Sequence, residues 1–263
     1  MTPQLPVTSH AGSDAAPSPS LSQRRVLLVG AGGLGSAAAP ILARAGVGHI
    51  DVLDDDRVEA SNLQRQTLYS EADCGRPKAP LALERLRAQA TAAGYQLQGV
   101  AREMRLLPGN AAQLVADYDL VLEGADNHAT KFLVADACAL GGVPAVQGGA
   151  VRWVGWAMAS RPGRGPCLRC VFEDMPGGEQ PDCAAAGVVG PAVGVIGALQ
   201  AALALKLLLG LHDRSDAGAL YSLSGLHGSL RRIRVPRRPE CALCSGHIQH
   251  IDPKRYAPPQ CAA

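Results

Sequence analysis

Aromatic residues are scarce in this sequence. They make up 3% of its 263 residues, whereas apolar residues as a whole make up 47%. A sizeable core is therefore expected, built mainly from Ala, Val, Leu and Ile, whose small side chains let helices pack closely on a sheet. A chain of this length can form one large α/β domain or two small ones.

The sequence also lacks a strong excess of charge and a long uninterrupted apolar run. Its formal net charge is +2, which gives no reason to expect nucleic acid or an anionic membrane as a partner. Residues 188–211 come nearest to the run of about 18 apolar residues that spans a membrane, but they contain Pro191, Gln200 and Lys206 and are predicted to form a core helix. The N-terminus has no basic start followed by an apolar stretch, so we expect a cytoplasmic protein.

Strands alternate with helices through the first half of the chain. Residues 1–22, rich in Pro, Ser, Ala and Thr, are predicted to be a disordered tail, and residues 247–263 an irregular tail. Five predicted strands between residues 23 and 150, one of them at 97–104, favour a mainly parallel sheet covered on both faces. Residues 151–246 are predicted to add one long helix and three extended segments, at 193–209 and at 153–158, 219–224 and 230–235.

A glycine-rich turn follows the first predicted strand and opens a helix. Its residues are Gly30-Ala-Gly32-Gly33-Leu-Gly35. The glycines permit a tight turn and let backbone N–H groups approach a phosphate at the helix N-terminus. Asp54 ends the second predicted strand, where a carboxylate can accept hydrogen bonds from ribose hydroxyls. These features suit NAD as well as ATP, and the absence of a Gly-Lys-Ser/Thr sequence excludes a P-loop.

Polar and basic residues in the next segment favour ATP. Ser61-Asn62-Leu63-Gln64-Arg65-Gln66-Thr67 is followed by Arg76-Pro77-Lys78. Cations at this point would stabilise charge on the phosphates and on departing pyrophosphate. Taken singly, Arg65 and Lys78 could equally be solvated surface charges.

A carboxylate follows another predicted strand, in Glu123-Gly-Ala-Asp126-Asn127. Ligands of open α/β sheets bind at the carboxyl ends of the strands, and Asp126 there suits Mg²⁺ held together with substrate phosphates. Asp126 or Asn127 could instead cap the helix that follows.

In this order, these motifs resemble the ThiF/MoeB/HesA family, the bacterial relatives of ubiquitin-activating enzymes, and look closest to ThiF. The resemblance covers residues 24–246. It implies an α/β, Rossmann-like doubly wound sheet extended by a C-terminal mixed or antiparallel part, with an ATP-binding half at 23–150 and a carrier-binding and zinc half of the same domain at 151–246. It also implies ATP and Mg²⁺ as cofactors, Asp126 as the Mg²⁺ ligand, and a nucleotide-binding set of Gly32, Gly33, Gly35, Asp54, Asp56, Asn62, Arg65, Gln66, Lys78, Asp126 and Asn127.

Four cysteines form two Cys-x-x-Cys pairs, Cys167 with Cys170 and Cys241 with Cys244. Four thiolates at this spacing predict a structural Zn²⁺ site. A redox pair or buried thiols are the alternatives, but a redox dithiol needs one such pair rather than two. The family resemblance implies the same zinc.

Cys183 stands apart in a Pro/Gly-rich loop, residues 173–187. A loop cysteine is a candidate nucleophile if its thiolate is stabilised. The resemblance implies a covalent link between this cysteine and a carrier's C-terminus during sulfur transfer, which would place Cys183 beside Arg65, Lys78 and Asp126 as a catalytic residue. A tolerated loop thiol is the alternative.

The function that the resemblance implies is adenylylation of the C-terminal glycine of a ubiquitin-like sulfur carrier ending in Gly-Gly. The 54–56 acidic run and residues 183–191 favour a ThiS-like carrier of thiazole and thiamine biosynthesis. Activation of the molybdopterin synthase small subunit, as by MoeB, or of a carrier for another metabolite remain alternatives. The resemblance also implies a homodimer. A separate sulfur donor is expected, because no rhodanese-like segment follows Cys244.

One departure from the family pattern concerns an N-terminal arginine. Family members usually begin with a helical segment carrying Arg-Tyr-x-Arg-Gln, whose arginine completes the partner subunit's ATP site, but residues 1–22 contain no arginine. This keeps a nucleotide- or carrier-binding scaffold without turnover as an alternative. An NAD-dependent oxidoreductase is the second alternative.

Overall fold

One eight-stranded sheet organises the part of the chain that the computed structural model describes, residues 20–176, 187–211 and 218–257. Across the sheet the strands run in the order β3-β2-β1-β4-β5-β6-β7-β8. Their bounds are β1 (Arg25–Val29), β2 (His49–Leu53), β3 (Ala101–Arg102), β4 (Leu120–Glu123), β5 (Ala145–Val151), β6 (Val154–Ser160), β7 (Ala219–Ser224) and β8 (Ser229–Arg234).

The first five strands in space, β3 to β5, pair in parallel, and β5 to β8 pair antiparallel. Parallel neighbours need crossover connections, which the helices of the first half supply, whereas β5 and β6 are joined by a tight turn. The predicted Rossmann-like, mainly parallel sheet with an antiparallel C-terminal extension is thus confirmed. The direction of strand order reverses between β1 and β4, which creates a crevice at their carboxyl ends.

Helices cover both faces of the sheet. Within the described residues they are α1 (Gly33–Arg44), α2 (Lys78–Ala92), α3 (Ala111–Val115), α4 (His128–Gly141), α5 (Leu168–Phe172) and α6 (Gly190–Leu208). Strand β1 shows why two layers form, because its side chains alternate: Val26 and Leu28 pack in the core with α1, α2 and α6, while Leu27 and Val29 pack with α3 and α4.

The long apolar helix α6 is the only described helix long and apolar enough to cross a membrane, and half of it is buried in the domain. It packs against α1, β5 and β6. Helices α1 and α6 approach so closely at Gly197 that an added Cβ there would lie 2.5 Å from the Cβ of Ala37. The predicted core helix is therefore found, with one face in the core.

The structure differs from the predictions at four places. The last residues of the predicted disordered tail, Leu21 and Ser22, belong to a 3-10 helix, Leu21–Gln23. Strand β3 is shorter than the predicted 97–104, because the backbone at Gly99 lies against the Ile50 carbonyl and only an isolated bridge continues the pairing. Helix α5 has no counterpart among the predicted elements. Part of the predicted irregular tail, Pro253–Tyr256, is a 3-10 helix whose last residue is buried. Residues 1–19 and 258–263 of the predicted tails lie outside the described residues.

Candidate functional site

A cavity of about 480 Å³ opens where strand order reverses. Its polar side consists of the glycine turn after β1, the acidic run after β2, the start of α2 and the loop between β4 and α4. Its apolar side comes from the segment after β3, from α4 and from the C-terminal 3-10 helix, through Leu106, Pro108, Leu133, Pro253 and Tyr256. The lining of the cavity is therefore charged in one part and apolar in another.

The glycine turn is held by backbone and carboxylate hydrogen bonds. Gly30 has a φ of +90° and donates its N–H to the Leu53 carbonyl at 2.9 Å, and an added Cβ there would lie 2.9 Å from the Ala125 nitrogen. The next N–H, of Ala31, donates to Asp54 Oδ2 at 2.7 Å. Only glycine fits at position 30, because the backbone there has a positive φ and the turn after β1 touches the loop after β4.

Asp54 also accepts the Asp56 N–H, through Oδ1 at 2.9 Å. Burial raises the pKa of the Asp54 carboxyl, and the charge of Lys78 opposes that shift. Each carboxylate oxygen can accept a second hydrogen bond, so Asp54 both fixes the turn and keeps acceptor capacity toward the cavity that it lines.

Both predicted cations, Lys78 and Arg65, line the polar side. Lys78 is 4% exposed, and its Nζ lies 2.9 Å from Asp56 Oδ2, so it is not a solvated surface charge. The half-buried Arg65 receives support from Asn62, whose Oδ1 accepts from Nη2 at 2.5 Å. The two cations therefore face one cavity, whereas Asn62 does not line it and orients Arg65 from behind.

The two polar residues of the loop after β4, Asp126 and Asn127, have different roles. The Asn127 Oδ1 accepts the Thr130 N–H at 2.8 Å and caps α4. Asp126, one residue earlier, is exposed and lines the cavity. The capping alternative thus holds for Asn127, while Asp126 keeps its place at the carboxyl edge of the sheet.

Arg105 belongs to the site although its sequence pattern did not single it out. Its Nε donates to Asp55 Oδ2 at 2.7 Å, and the hydrogen bond and charge of Asp55, with smaller effects from Asp56 and Asp126, raise the pKa of this guanidinium. The sequence does contain a signal for Arg105, because a basic residue shortly after the third strand lies at the carboxyl edge of the sheet, where ligands bind.

Most of the predicted nucleotide-binding set meets at this cavity. Gln66 is buried beside Gly32, and its Oε1 has no hydrogen-bond partner within the described ranges. Gly35 lies beneath the turn, where an added Cβ would be 2.2 Å from the Gly30 carbonyl oxygen. Cys183 lies outside the described residues. The predicted residues that line the cavity are Gly32, Gly33, Asp54, Asp56, Arg65, Gln66, Lys78, Asp126 and Asn127.

The four paired cysteines form a separate cluster, in which the Sγ atoms all lie within 4.8 Å of one another. Cys167 and Cys241 are 3.5 Å apart and Cys170 and Cys244 3.7 Å apart. A tetrahedral Zn²⁺ with bonds of about 2.3 Å to sulfur places its ligands about 3.8 Å apart, so the cluster is compatible with zinc. It packs beside Ala139 at the end of α4, whereas α4 begins at the cavity.

Comparison with known proteins agrees with these features. A model of the ThiF family matches residues 7–243. The chain belongs to the ThiF family.

Among the relatives of this ThiF-family chain is the "Sulfur carrier protein adenylyltransferase" of Thermus thermophilus, 42% identical over 230 residues that cover 85% of this chain and 83% of that protein. Another is the "Adenylyltransferase and sulfurtransferase MOCS3" of Bos taurus, 43% identical over 241 residues, which are 90% of this chain and 51% of the relative. The chain thus spans about half the length of the MOCS3 proteins it matches. Crystal structures of E. coli MccB have the same fold, with a TM-score of 0.74 at 22% identity over 85% of this chain and 67% of MccB.

A buried ion pair lies behind the loop that carries Asp126 in this ThiF-family chain. Glu123, at the end of β4, is 0% exposed, and its carboxylate oxygens lie 3.0 and 3.2 Å from Lys131 Nζ. The same carboxylate accepts the Ala125 N–H at 2.7 Å, and Gln200 of α6 donates to the Glu123 carbonyl at 2.7 Å. Burial raises the pKa of the Glu123 carboxyl, and the charge of Lys131 opposes that shift. The carboxylate therefore holds the loop in place only while Lys131 compensates its charge.

Replacing Lys131 with Met should lower the free energy of unfolding by roughly 3–5 kcal/mol, because it leaves the buried Glu123 carboxylate uncompensated. The double variant Glu123→Gln/Lys131→Met should recover part of this loss, since an amide needs no counter-charge and still accepts the Ala125 N–H. Urea unfolding of both variants measures the difference. A double variant no more stable than Lys131→Met would show that the charge pair is not what holds this loop.

Proposed function

We propose that this chain transfers AMP from ATP to the C-terminal carboxylate of a ubiquitin-like sulfur-carrier protein ending in Gly-Gly. The observation that carries the proposal is the arrangement of Lys78, Arg65 and Asp126 around one cavity with the glycine turn. Cleavage of the α–β phosphate bond needs cations and a carboxylate that can hold Mg²⁺ beside the phosphates, whereas an oxidoreductase does not. The relatives at 42–43% identity carry the word adenylyltransferase in their names.

The two ends of the cavity suit the two ends of ATP. Its volume falls within the range of about 300–1,000 Å³ that is usual for small-molecule sites. The apolar end, at Leu106 and Leu133, fits a purine base, and Asp54 at the strand end fits the ribose. The turn before α1, with Lys78 and Arg65, then receives the phosphates at a helix N-terminus.

The carboxylates that line the cavity also fit Mg²⁺. This ion binds proteins through one or two carboxylates and completes its coordination with water and substrate phosphates. Three exposed carboxylates line the cavity: Asp55 pairs with Arg105, Asp56 pairs with Lys78, and Asp126 lies in the loop at the carboxyl end of β4. When bound, the ion supplies positive charge to the phosphates of ATP.

The proposed reaction needs no general base. The carrier's C-terminal carboxylate is already ionised at neutral pH, so it can attack the α-phosphorus directly. A carboxylate-oxygen-to-phosphorus bond forms, the bond from the α-phosphorus to the bridging oxygen of pyrophosphate breaks, and pyrophosphate leaves. Lys78, held at the cavity by Asp56, and Arg65, held by Asn62, stabilise the negative charge that moves onto the leaving group.

The acyl-adenylate is the substrate for sulfur transfer. We propose that a separate donor protein in the cytoplasm supplies sulfide-level sulfur, which bonds to the acyl carbon as the bond to AMP breaks, so that a thiocarboxylate forms and AMP leaves. The 54–56 acidic run and the Cys183–Pro191 sequence favour a ThiS-like carrier over a MoeB-type partner. Cys183 is the proposed site of a covalent link to the carrier. Adenylylation assays that compare a ThiS-like carrier with the molybdopterin synthase small subunit decide between the two, because only the cognate C-terminus will be modified.

Lys78→Ala should reduce carrier-dependent exchange between ATP and pyrophosphate by about 100-fold or more, because a charge that stabilises the transition state is lost. Arg44→Ala, which removes an exposed cation of α1 outside the cavity, is the matched control and should exchange normally. Unfolding temperatures of both variants separate loss of chemistry from loss of fold. Wild-type exchange by Lys78→Ala would remove this residue from the site, and ATP binding without exchange with any carrier would favour the scaffold alternative.

We propose a structural Zn²⁺ at the four-cysteine cluster, because its closed set of four thiolates has no position left for substrate. The purified chain should contain about one zinc per molecule, and Cys170→Ser should lose the metal and unfold at a temperature roughly 5 °C lower or more. Cys74→Ser, which alters an exposed cysteine outside the cluster, is the control. A wild-type protein free of zinc and as stable after chelation would contradict the site.

A homodimer is proposed through the outer face of α6. Pro191, Val195, Ala198 and Ala202 are exposed along one side of this helix, and Val195 is 45% exposed. Such a continuous face of small apolar groups matches the hydrophobic character of permanent interfaces and permits two copies of the helix to approach closely.

Val195→Lys should convert the dimer to a monomer, because it places a charge in an apolar contact. Light scattering after size exclusion measures the mass, and Arg87→Lys, which alters an exposed residue of α2, is the control. A wild-type chain that is monomeric at high micromolar concentration would rule out this interface.

A further inference from the structure

Tyr256 lies in the wall of the proposed nucleotide cavity although it belongs to the C-terminal segment. It ends the 3-10 helix Pro253–Tyr256, is 7% exposed, and lines the cavity together with Pro253 and Ala257. The segment therefore contributes to the apolar wall of the cavity, where Tyr256 belongs to the same core cluster as Leu106 and Leu133.

The phenol of Tyr256 is anchored in the core. Its hydroxyl donates to Asp136 Oδ2 at 2.7 Å. Burial and then the charge of Asp136 raise the pKa of Tyr256, so the hydroxyl remains a donor under all ordinary conditions. The position of the ring is thus set by a buried hydrogen bond to α4.

Asp136 is itself fixed by a bidentate ion pair. It is 0% exposed, and it accepts from Nε and Nη2 of Arg169 at 2.8 and 2.9 Å. The Arg169 guanidinium also lies 4.9 Å from the centre of the Phe132 ring. Because two parallel hydrogen bonds fix both distance and orientation, the carboxylate that anchors Tyr256 has one defined place.

Arg169 lies between Cys167 and Cys170 in α5, so the ion pair joins the first cysteine pair to α4. Helix α4 also supplies Leu133 to the cavity wall, one turn before Asp136. The cysteine cluster, α4 and the apolar wall of the cavity are therefore connected by buried polar contacts rather than by the sheet alone.

We propose that Tyr256 forms the wall against which the nucleotide base lies, and that Asp136 and Arg169 are positioning residues for that wall. The proposal rests on the proposed function, since it assumes that a nucleotide occupies this cavity. Aromatic rings bind bases through large apolar contacts at low cost in conformational entropy. The base end of the site is then built by residues from the far C-terminal part of the chain.

Calorimetric titration of the full chain with ATP, with Mg²⁺ present, tests whether Tyr256 contributes to nucleotide binding. Tyr256→Ala should weaken ATP binding by roughly tenfold or more, whereas Tyr256→Phe, which keeps the ring, should stay within about threefold of the wild type. Tyr95→Ala, which alters an exposed tyrosine outside the cavity, is the matched control and should bind as the wild type does.

Ala257→Phe keeps the test decisive if Tyr256→Ala fails to fold. Ala257 is exposed and lines the cavity, so a larger side chain there should weaken ATP binding without lowering the unfolding temperature. Wild-type affinity in the folded Tyr256→Ala and Ala257→Phe proteins would overturn the proposal while leaving the proposed function intact. A wild-type chain that binds no ATP would overturn the proposed function first.

The positioning role has its own readout in pyrophosphate exchange. Arg169→Lys loses the bidentate pair with Asp136 but keeps the charge, so it should raise the KM for ATP several-fold with kcat little changed. A purely structural role would lower the unfolding temperature and the amount of active protein without moving KM. An unchanged KM in the folded variant would therefore show that the pair does not position the base wall.

Discussion

The contact between two backbones at the carboxyl ends of β1 and β4 is the constraint on which the site depends. Gly30 has a positive φ and lies against Gly124 and Ala125, and Gly35 packs directly under the Gly30 carbonyl. Because no side chain separates these segments, α1 begins immediately above the sheet, and Gly32 and Gly33 at its start line the cavity. A single Cβ at Gly35 would push the helix away from the strand that positions it.

Buried or half-buried ion pairs then place each wall of the cavity. Lys78 pairs with Asp56 at the phosphate end, Glu123 with Lys131 behind the Asp126 loop, and Asp136 with Arg169 behind the base end. The bare cost of burying such charges is large, so they contribute little to stability by themselves. Their common effect is geometric, because each pair holds one segment of the cavity wall in a defined place before substrate binds, as electrostatic catalysis requires.

The scarcity of aromatic residues has a counterpart in how the core is built. Small residues on α1 and α6 let the two helices approach closely, as at Ala37 and Gly197. Two of the five tyrosines lie at polar junctions instead: Tyr69 donates to the Ala31 carbonyl of the glycine turn, and Tyr256 donates to Asp136. At these two positions a ring and a hydroxyl are both used.

The sequence by itself determined the strand–helix alternation, the glycine turn, the strand-end carboxylates and the two cysteine pairs, because each depends on residues close together in the chain. The same holds for membership of the ThiF family. Only the tertiary structure decided that Asn127 caps α4 while Asp126 faces the cavity, that Asn62 supports Arg65 from behind, and that Arg105 and Tyr256 belong to the site. Those assignments depend on contacts between segments as far apart as Asp136 and Tyr256, and no local pattern records which side chain a distant strand or helix will bring beside it.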